Sequence, residues 1–162
     1  MTLEPSLWIS LRIAAAATAL TFFTGTPLAW ALSRRSWPGK TLLDVAVNLP
    51  LVLPPTVLGY YLLLLMGRDG PIGRLTHQLW GSTLIFSPTA AVIAASCVSL
   101  PLFVQVTRNA LEAIPSDLVE AAQVFGATRW QIFRYVAFPL VRGGVWIGLL
   151  LAFARSMGEF GA

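Results

Sequence analysis

Four long apolar runs, separated by short polar stretches, lay out this chain: about Leu7–Leu32, Leu42–Met66, Leu84–Val106 and Val136–Met157. A helix needs about 20 apolar residues to cross about 30 Å of hydrocarbon, so each run is long enough to span a bilayer. The first run is too long for a cleavable signal and lacks a basic start, and it reads as a retained helix. The second is irregular. Pro50, Pro54 and Pro55 fall within six positions, and each removes a backbone donor and clashes with the preceding turn. A regular helix cannot run through them. In a bilayer, broken backbone survives only where protein or a wet cavity satisfies it. The interruption therefore either borders a transport pathway or is a kink packed against neighbours.

Between the third and fourth runs the pattern turns polar. Pro101 predicts a kink, and Arg108 and Asn109 follow it. Pro115 ends what precedes it, and Ser116 or Asp117 can cap a new helix. Asp117 and Glu120 have capping-box spacing. That helix runs through Ala121 and Ala122 and stops at Gly126, a natural C′ residue. Thr128 and Gln131 form a second capping box, opening a helix that leads back to the membrane. The fourth span begins after Pro139. Gly144 and Gly148 stand four apart, a spacing that lets membrane helices approach closely. Arg155 and Glu159, also four apart, share a helix face and can pair, either as a structural pair near the outer interface or as a functional pair facing a cavity.

Composition agrees with the pattern. Hydrophobic residues make up 56% of the chain and charged residues 11%, against about 25% charged in soluble domains. A net charge of +4 could suggest nucleic acid, but the basic residues lie between the spans rather than in a stripe. Arg34, Arg35 and Lys40 follow the first span, and Arg108, Arg129, Arg134 and Arg142 follow the third. Positive-inside counting places the 33–41 and 107–138 connections in the cytoplasm, and the N-terminus and the 67–83 connection outside. Arg12 either snorkels to the outer interface or is a buried functional arginine. Cys97 is a packing residue without metal-spaced partners, and His77 stands alone in a polar connection. No phosphate-binding Gly-x-x-x-x-Gly-Lys-Ser/Thr loop occurs in the sequence, so any ATP would be bound by another polypeptide.

Glu120-Ala121-Ala122, then Gly126, then Val136-Ala137-Phe138-Pro139 resembles the cytoplasmic "EAA" loop of ABC-importer permeases. That pattern is Glu-Ala-Ala, three residues, Gly, nine residues, then an Ile-x-Leu-Pro-like ending. Val136 and Phe138 depart from it conservatively. The run from Asn48 to Tyr60, the segment Trp37-Pro38-Gly39-Lys40 and the ending Arg155-Ser156-Met157-Gly158-Glu159-Phe160-Gly161 resemble the molybdate permease subunits of the sulfate/molybdate group. Sulfate permeases tend to end this motif in Gly-Glu-Tyr-Gly.

The resemblance implies an all-α integral membrane protein. Residues 1–162 would be one type-I ABC-importer transmembrane domain, with a coupling loop at about 107–138. It implies import of molybdate, and often tungstate, across a bacterial inner membrane. The partners would be a second permease copy, two cytoplasmic ABC ATPase subunits and a periplasmic molybdate-binding protein. Glu120, Ala121, Ala122, Gly126 and Pro139 would couple to the ATPase, while Pro50, Pro54, Pro55, Arg155, Ser156 and Glu159 are candidate pathway residues. The family's later helices are absent, and a Gly-Ala ending after a charged segment suggests a C-terminally truncated fragment. A sulfate or other oxyanion permease is the close competitor. A membrane enzyme would need a nucleophile with a base or paired acids at one depth, whereas the acids here are scattered. A channel or scaffold without an ATPase would have no use for the EAA-like loop.

Overall fold

The computed structural model describes residues 3–34, 36–68, 70–74 and 87–159. Among them every regular element is helical: α1 (Leu3–Ser33), α2 (Lys40–Val52), α3 (Pro55–Met66), α4 (Pro88–Glu112), α5 (Ser116–Val124) and α6 (Arg129–Ile132). A π-helical turn (Phe133–Ala137) then leads directly into α7 (Phe138–Gly158). Among the described residues three helices are long and apolar enough to cross a membrane, or four if the bent α2–α3 pair is one span. His77 and the ending Phe160-Gly161-Ala162 lie outside the described residues.

The bundle is built on α4, which packs against both α1 and α7. Phe103 of α4 is fully buried, and glycines from both neighbours make room for it. A Cβ on Gly25 of α1 would meet the Phe103 ring, and one on Gly148 of α7 would lie 3.1 Å from it. Phe22 adds an edge-to-face contact at 6.1 Å between centroids. Lipid supplies no hydrophobic drive between helices, so association depends on this close packing and on hydrogen bonds. One such bond joins Thr21 of α1 to Ser99 of α4 at 3.0 Å, fully buried. Thr18 and Thr26 instead donate to the carbonyls one turn back, Ala14 and Phe22.

Two arginine–tryptophan pairs bracket α1. Arg12 lies 5.0 Å from the Trp8 ring centroid and Arg34 lies 3.6 Å from that of Trp30. The two arginines are about 33 Å apart along the helix at 1.5 Å per residue, close to the bilayer's hydrocarbon thickness. Arg12 is exposed rather than buried. The Thr21–Ser99 bond lies between the two pairs along α1.

The second apolar run is not one straight crossing. The chain leaves α2 at Leu53, and the helices on either side of the break differ in direction by 116°. Pro50, expected to interrupt the helix, lies inside α2, which runs on to the Leu53 N–H bond to the Leu49 carbonyl at 3.1 Å. Pro54 and Pro55 have no N–H to donate, and the ladder ends there. Proline also has opposite effects elsewhere. Pro101 lies inside α4, which continues without a break to Glu112. Pro88 sits at the first turn of α4, where Ser87 accepts from the Ala90 N–H. Pro139 does not start the last span either, because the helix is already continuous from Arg129.

Candidate functional site

Two regions gather the residues singled out by sequence. The first is the α5–α6 corner. Helix α5 starts on Pro115, and no side chain caps it. The capping box expected of Asp117 and Glu120 is not formed. With Pro115 at the N-cap, Asp117 falls inside the first turn, where its charge complements the helix dipole, and Glu120 is exposed beyond it.

The C-terminus of α5 follows the expected course. Gly126 has φ +80°, its N–H donates to the Gln123 carbonyl at 2.9 Å, and the Ala127 N–H reaches back to Ala122 at 3.0 Å. These two bonds are the Schellman closure, which needs a left-handed residue at C′. The Thr128–Gln131 capping box opens α6, with both of its bonds present. The chain thus makes a stiff corner whose inner notch, about 340 Å³, is lined by Ala122, Phe125, Gly126, Ile132 and Tyr135 among others. Val124 and Phe125 stand 85% and 90% exposed at its edge, a large apolar surface for a polar connection to leave open.

Pro139 lies beyond the π turn. The Phe138 N–H donates five residues back, to Phe133, and the ladder changes register at Pro139, the residue that has no N–H to offer. A π turn is a frequent device at functional sites.

The second region is a cleft of about 250 Å³ at the α2–α3 break, lined by Pro50, Leu51, Leu53, Pro55, Leu58 and Val98, with Arg155 from α7. Arg155 is far from Pro50 and Pro55 along the chain, and the fold brings it to them. Pro54 and Ser156 are not in the lining. Ser156 is 1% exposed on the inner face of α7, and its hydroxyl has no hydrogen-bond partner. Arg155 Nη1 pairs with Glu159 Oε2 at 2.9 Å. Arg155 shares the cleft with Val98, the neighbour of Ser99 on α4.

A polar ladder between α2 and α4 escaped sequence reading. Arg108 bonds Asp44 at 2.9 Å and Glu112 at 2.8 Å. One turn deeper Gln105 donates to Asn48, which in turn donates to Asp44. Its signal was present as Asp44 and Asn48 four apart on one helix and Gln105, Arg108 and Glu112 at helical spacing on another.

An all-helical membrane bundle with a broken span and a rigid helical corner between its last two long helices defines the class, a transmembrane subunit of a transporter. The chain belongs to the family of binding-protein-dependent transport system inner membrane components, whose family model matches residues 15–162. It is 46% identical over 154 residues to the molybdenum transport system permease protein ModB of Escherichia coli K12, covering 95% of this chain and 67% of that protein. It is 47% identical over 135 residues to ModB of Haemophilus influenzae, covering 83% and 59%. The chain thus spans about 59–67% of the length of these two relatives. A crystal structure of an amino acid ABC transporter with histidines shares the fold, with a TM-score of 0.67 at 21% identity over 96% of this chain and 69% of that one.

Proposed function

We propose that this chain is a permease subunit of an ATP-driven importer of molybdate, with tungstate as a further cargo, in a bacterial inner membrane. The observation that carries the reading is the Schellman-closed corner at Gly126, set between membrane helices in a chain close in sequence to molybdenum permeases. Two copies of the permease would work with two cytoplasmic ATPase subunits and a periplasmic binding protein. ATP would be held by the ATPase, since the sequence has no phosphate-binding loop.

In this arrangement the α5–α6 corner faces the cytoplasm and the N-terminus lies outside, as the basic residues direct. Ala121 and Ala122 give α5 a small-residue surface, Glu120 an exposed charge, and Gly126 a fixed turn. Closure of the ATPase pair would pull on α5. A helix closed by a fixed turn at its C-terminus transmits that displacement, whereas a slack loop absorbs it. Pro139 and the π turn join the corner to α7 without a break, so the displacement reaches Arg155 and Glu159. Pro50, Pro54, Pro55 and Arg155 border the route for the anion, and Ser156 supports it from the buried face. A ligand shifts a two-state equilibrium only through its differential affinity for the states, so the permease need bind its cargo only weakly.

The test is uptake by the permease together with its ATPase and binding protein in cells that lack their own molybdate permease. Molybdate accumulation that requires all three components is the expected result. Accumulation of sulfate in place of molybdate would overturn the cargo, and uptake independent of the ATPase would overturn the class.

A further inference from the structure

The cleft at the α2–α3 break confronts a single charged side chain with walls that cannot neutralise it. Arg155 is surrounded by Pro50, Leu51, Leu53, Pro55, Leu58 and Val98. Val98 lies about 15 Å along α4 from Pro88 and about 21 Å from Glu112 at 1.5 Å per residue, so both ends of the helix are distant. The N-terminus of α3, the positive end of its dipole, opens on the same cleft at Pro55. The compensating charge is Glu159, one turn along α7, which holds one guanidinium nitrogen at 2.9 Å. A guanidinium carries five N–H donors in a planar fork, so this contact leaves donors to spare. The two side chains are 34% and 31% exposed, and Arg155 lines the cleft while Glu159 lies beside it on α7.

Resting on the oxyanion-permease reading, we propose that Arg155 is the anion-contact residue of the pathway and that Glu159 is its resident counter-ion. A tetrahedral dianion entering the cleft takes the guanidinium from Glu159 and later returns it. Between passages Glu159 keeps an arginine within a candidate span compensated, as a charge on a membrane-spanning helix requires. During passage its competition keeps the anion loosely held. Conduction needs binding favourable enough to admit an ion and weak enough to release it, and an exchangeable carboxylate supplies both. A fork that accepts two oxygens of any tetrahedral dianion selects the class and leaves the choice between molybdate and sulfate to the binding protein.

The experiment uses the full chain assembled with its ATPase subunit in proteoliposomes. Binding of radiolabelled molybdate is measured without the binding protein, and uptake is measured with it. Glu159→Gln removes the competitor, so molybdate should bind about tenfold tighter or more, as expected when a competing state that masks the site is removed, and uptake should slow. Arg155→Gln should abolish binding. The double variant Arg155→Gln/Glu159→Gln has no uncompensated charge, so it should assemble with the ATPase yet lose uptake. Unchanged or weaker binding by Glu159→Gln, or wild-type uptake by the double variant, would overturn the inference. Those outcomes leave the permease reading intact as long as the wild type carries molybdate. A wild type that carries sulfate instead, with the same response to both variants, would retain the inference and change the cargo. A wild type that carries no tetrahedral dianion would end both.

Discussion

Gly126 shows how much one backbone angle can decide. At φ +80° an L side chain costs about 1–2 kcal/mol, although open space surrounds its Cα and no neighbour would clash with a Cβ. Gly126→Val should therefore leave insertion and helix content intact while loosening the corner. In the assembled transporter we expect it to abolish molybdate-dependent ATP hydrolysis, and wild-type stimulation would refute the coupling role. The Asp44–Arg108 pair makes a more modest contribution. Its side chains are 23% and 35% exposed, Arg108 first, so a double-mutant cycle with Asp44→Asn and Arg108→Gln should give a coupling of about 0.5–1 kcal/mol in detergent melting. Sequence made Gly126 legible because only glycine suits a left-handed C′ residue after a helix. It did not make Asp44 legible, because its partner lies 64 positions away and spacing within one helix says nothing of the other.

At the scale of elements, the seam between α4 and α7 depends on absent side chains. A Cβ on Gly144 would collide with that of Ala110, and one on Gly148 would sit 3.3 Å from the Thr107 hydroxyl. Gly143, next along, has nothing within 4 Å. Overpacking of this kind costs about 1–3 kcal/mol. Gly144→Val should lower the melting temperature of the purified protein, while Gly143→Ala should leave it nearly unchanged. Equal effects would show that the seam is not packed as described. The four-apart glycines pointed to this contact in advance. The prolines were harder to interpret, because a proline's effect depends on its surroundings. Pro101 is buried within an unbroken α4, whereas Pro54 and Pro55 act in tandem and the helix turns by 116°. The capping box expected at Asp117 failed for a related reason, because Pro115 had already taken the N-cap position.

For the whole molecule the decisive question is which side each connection faces. If basic residues set the orientation, cysteines at Ser36 and Ser116 should react only with a reagent supplied from the cytoplasm, and one at Thr76 only from outside. Labelling of Ser116 from outside would reverse the topology and remove the corner from the ATPase. The bracketing of α1 by Trp8–Arg12 and Trp30–Arg34 sets its depth independently of orientation. Three of the four apolar runs read from the chain are single long helices, and the second is the bent α2–α3 pair. That the α2–α3 break would face Arg155 could not be read there, since it depends on how α2, α4 and α7 dock.

The π turn before α7 has a consequence for the azimuth of everything beyond it. One residue more than an α-helical turn holds advances the helix by about 100°, so the widened turn at Phe133–Ala137 sets the angular phase of α7. In the present phase Val141, Gly148, Ala152 and Ser156 point inward while Trp146, Ile147 and Leu150 point outward. Deleting one residue from that turn would rotate the helix like a misindexed gear, carrying the small-residue stripe away from α4 and Arg155 out of its cleft. A sequence that tolerated such a deletion would show that α7 takes its bearing from its neighbours and not from the corner that drives it.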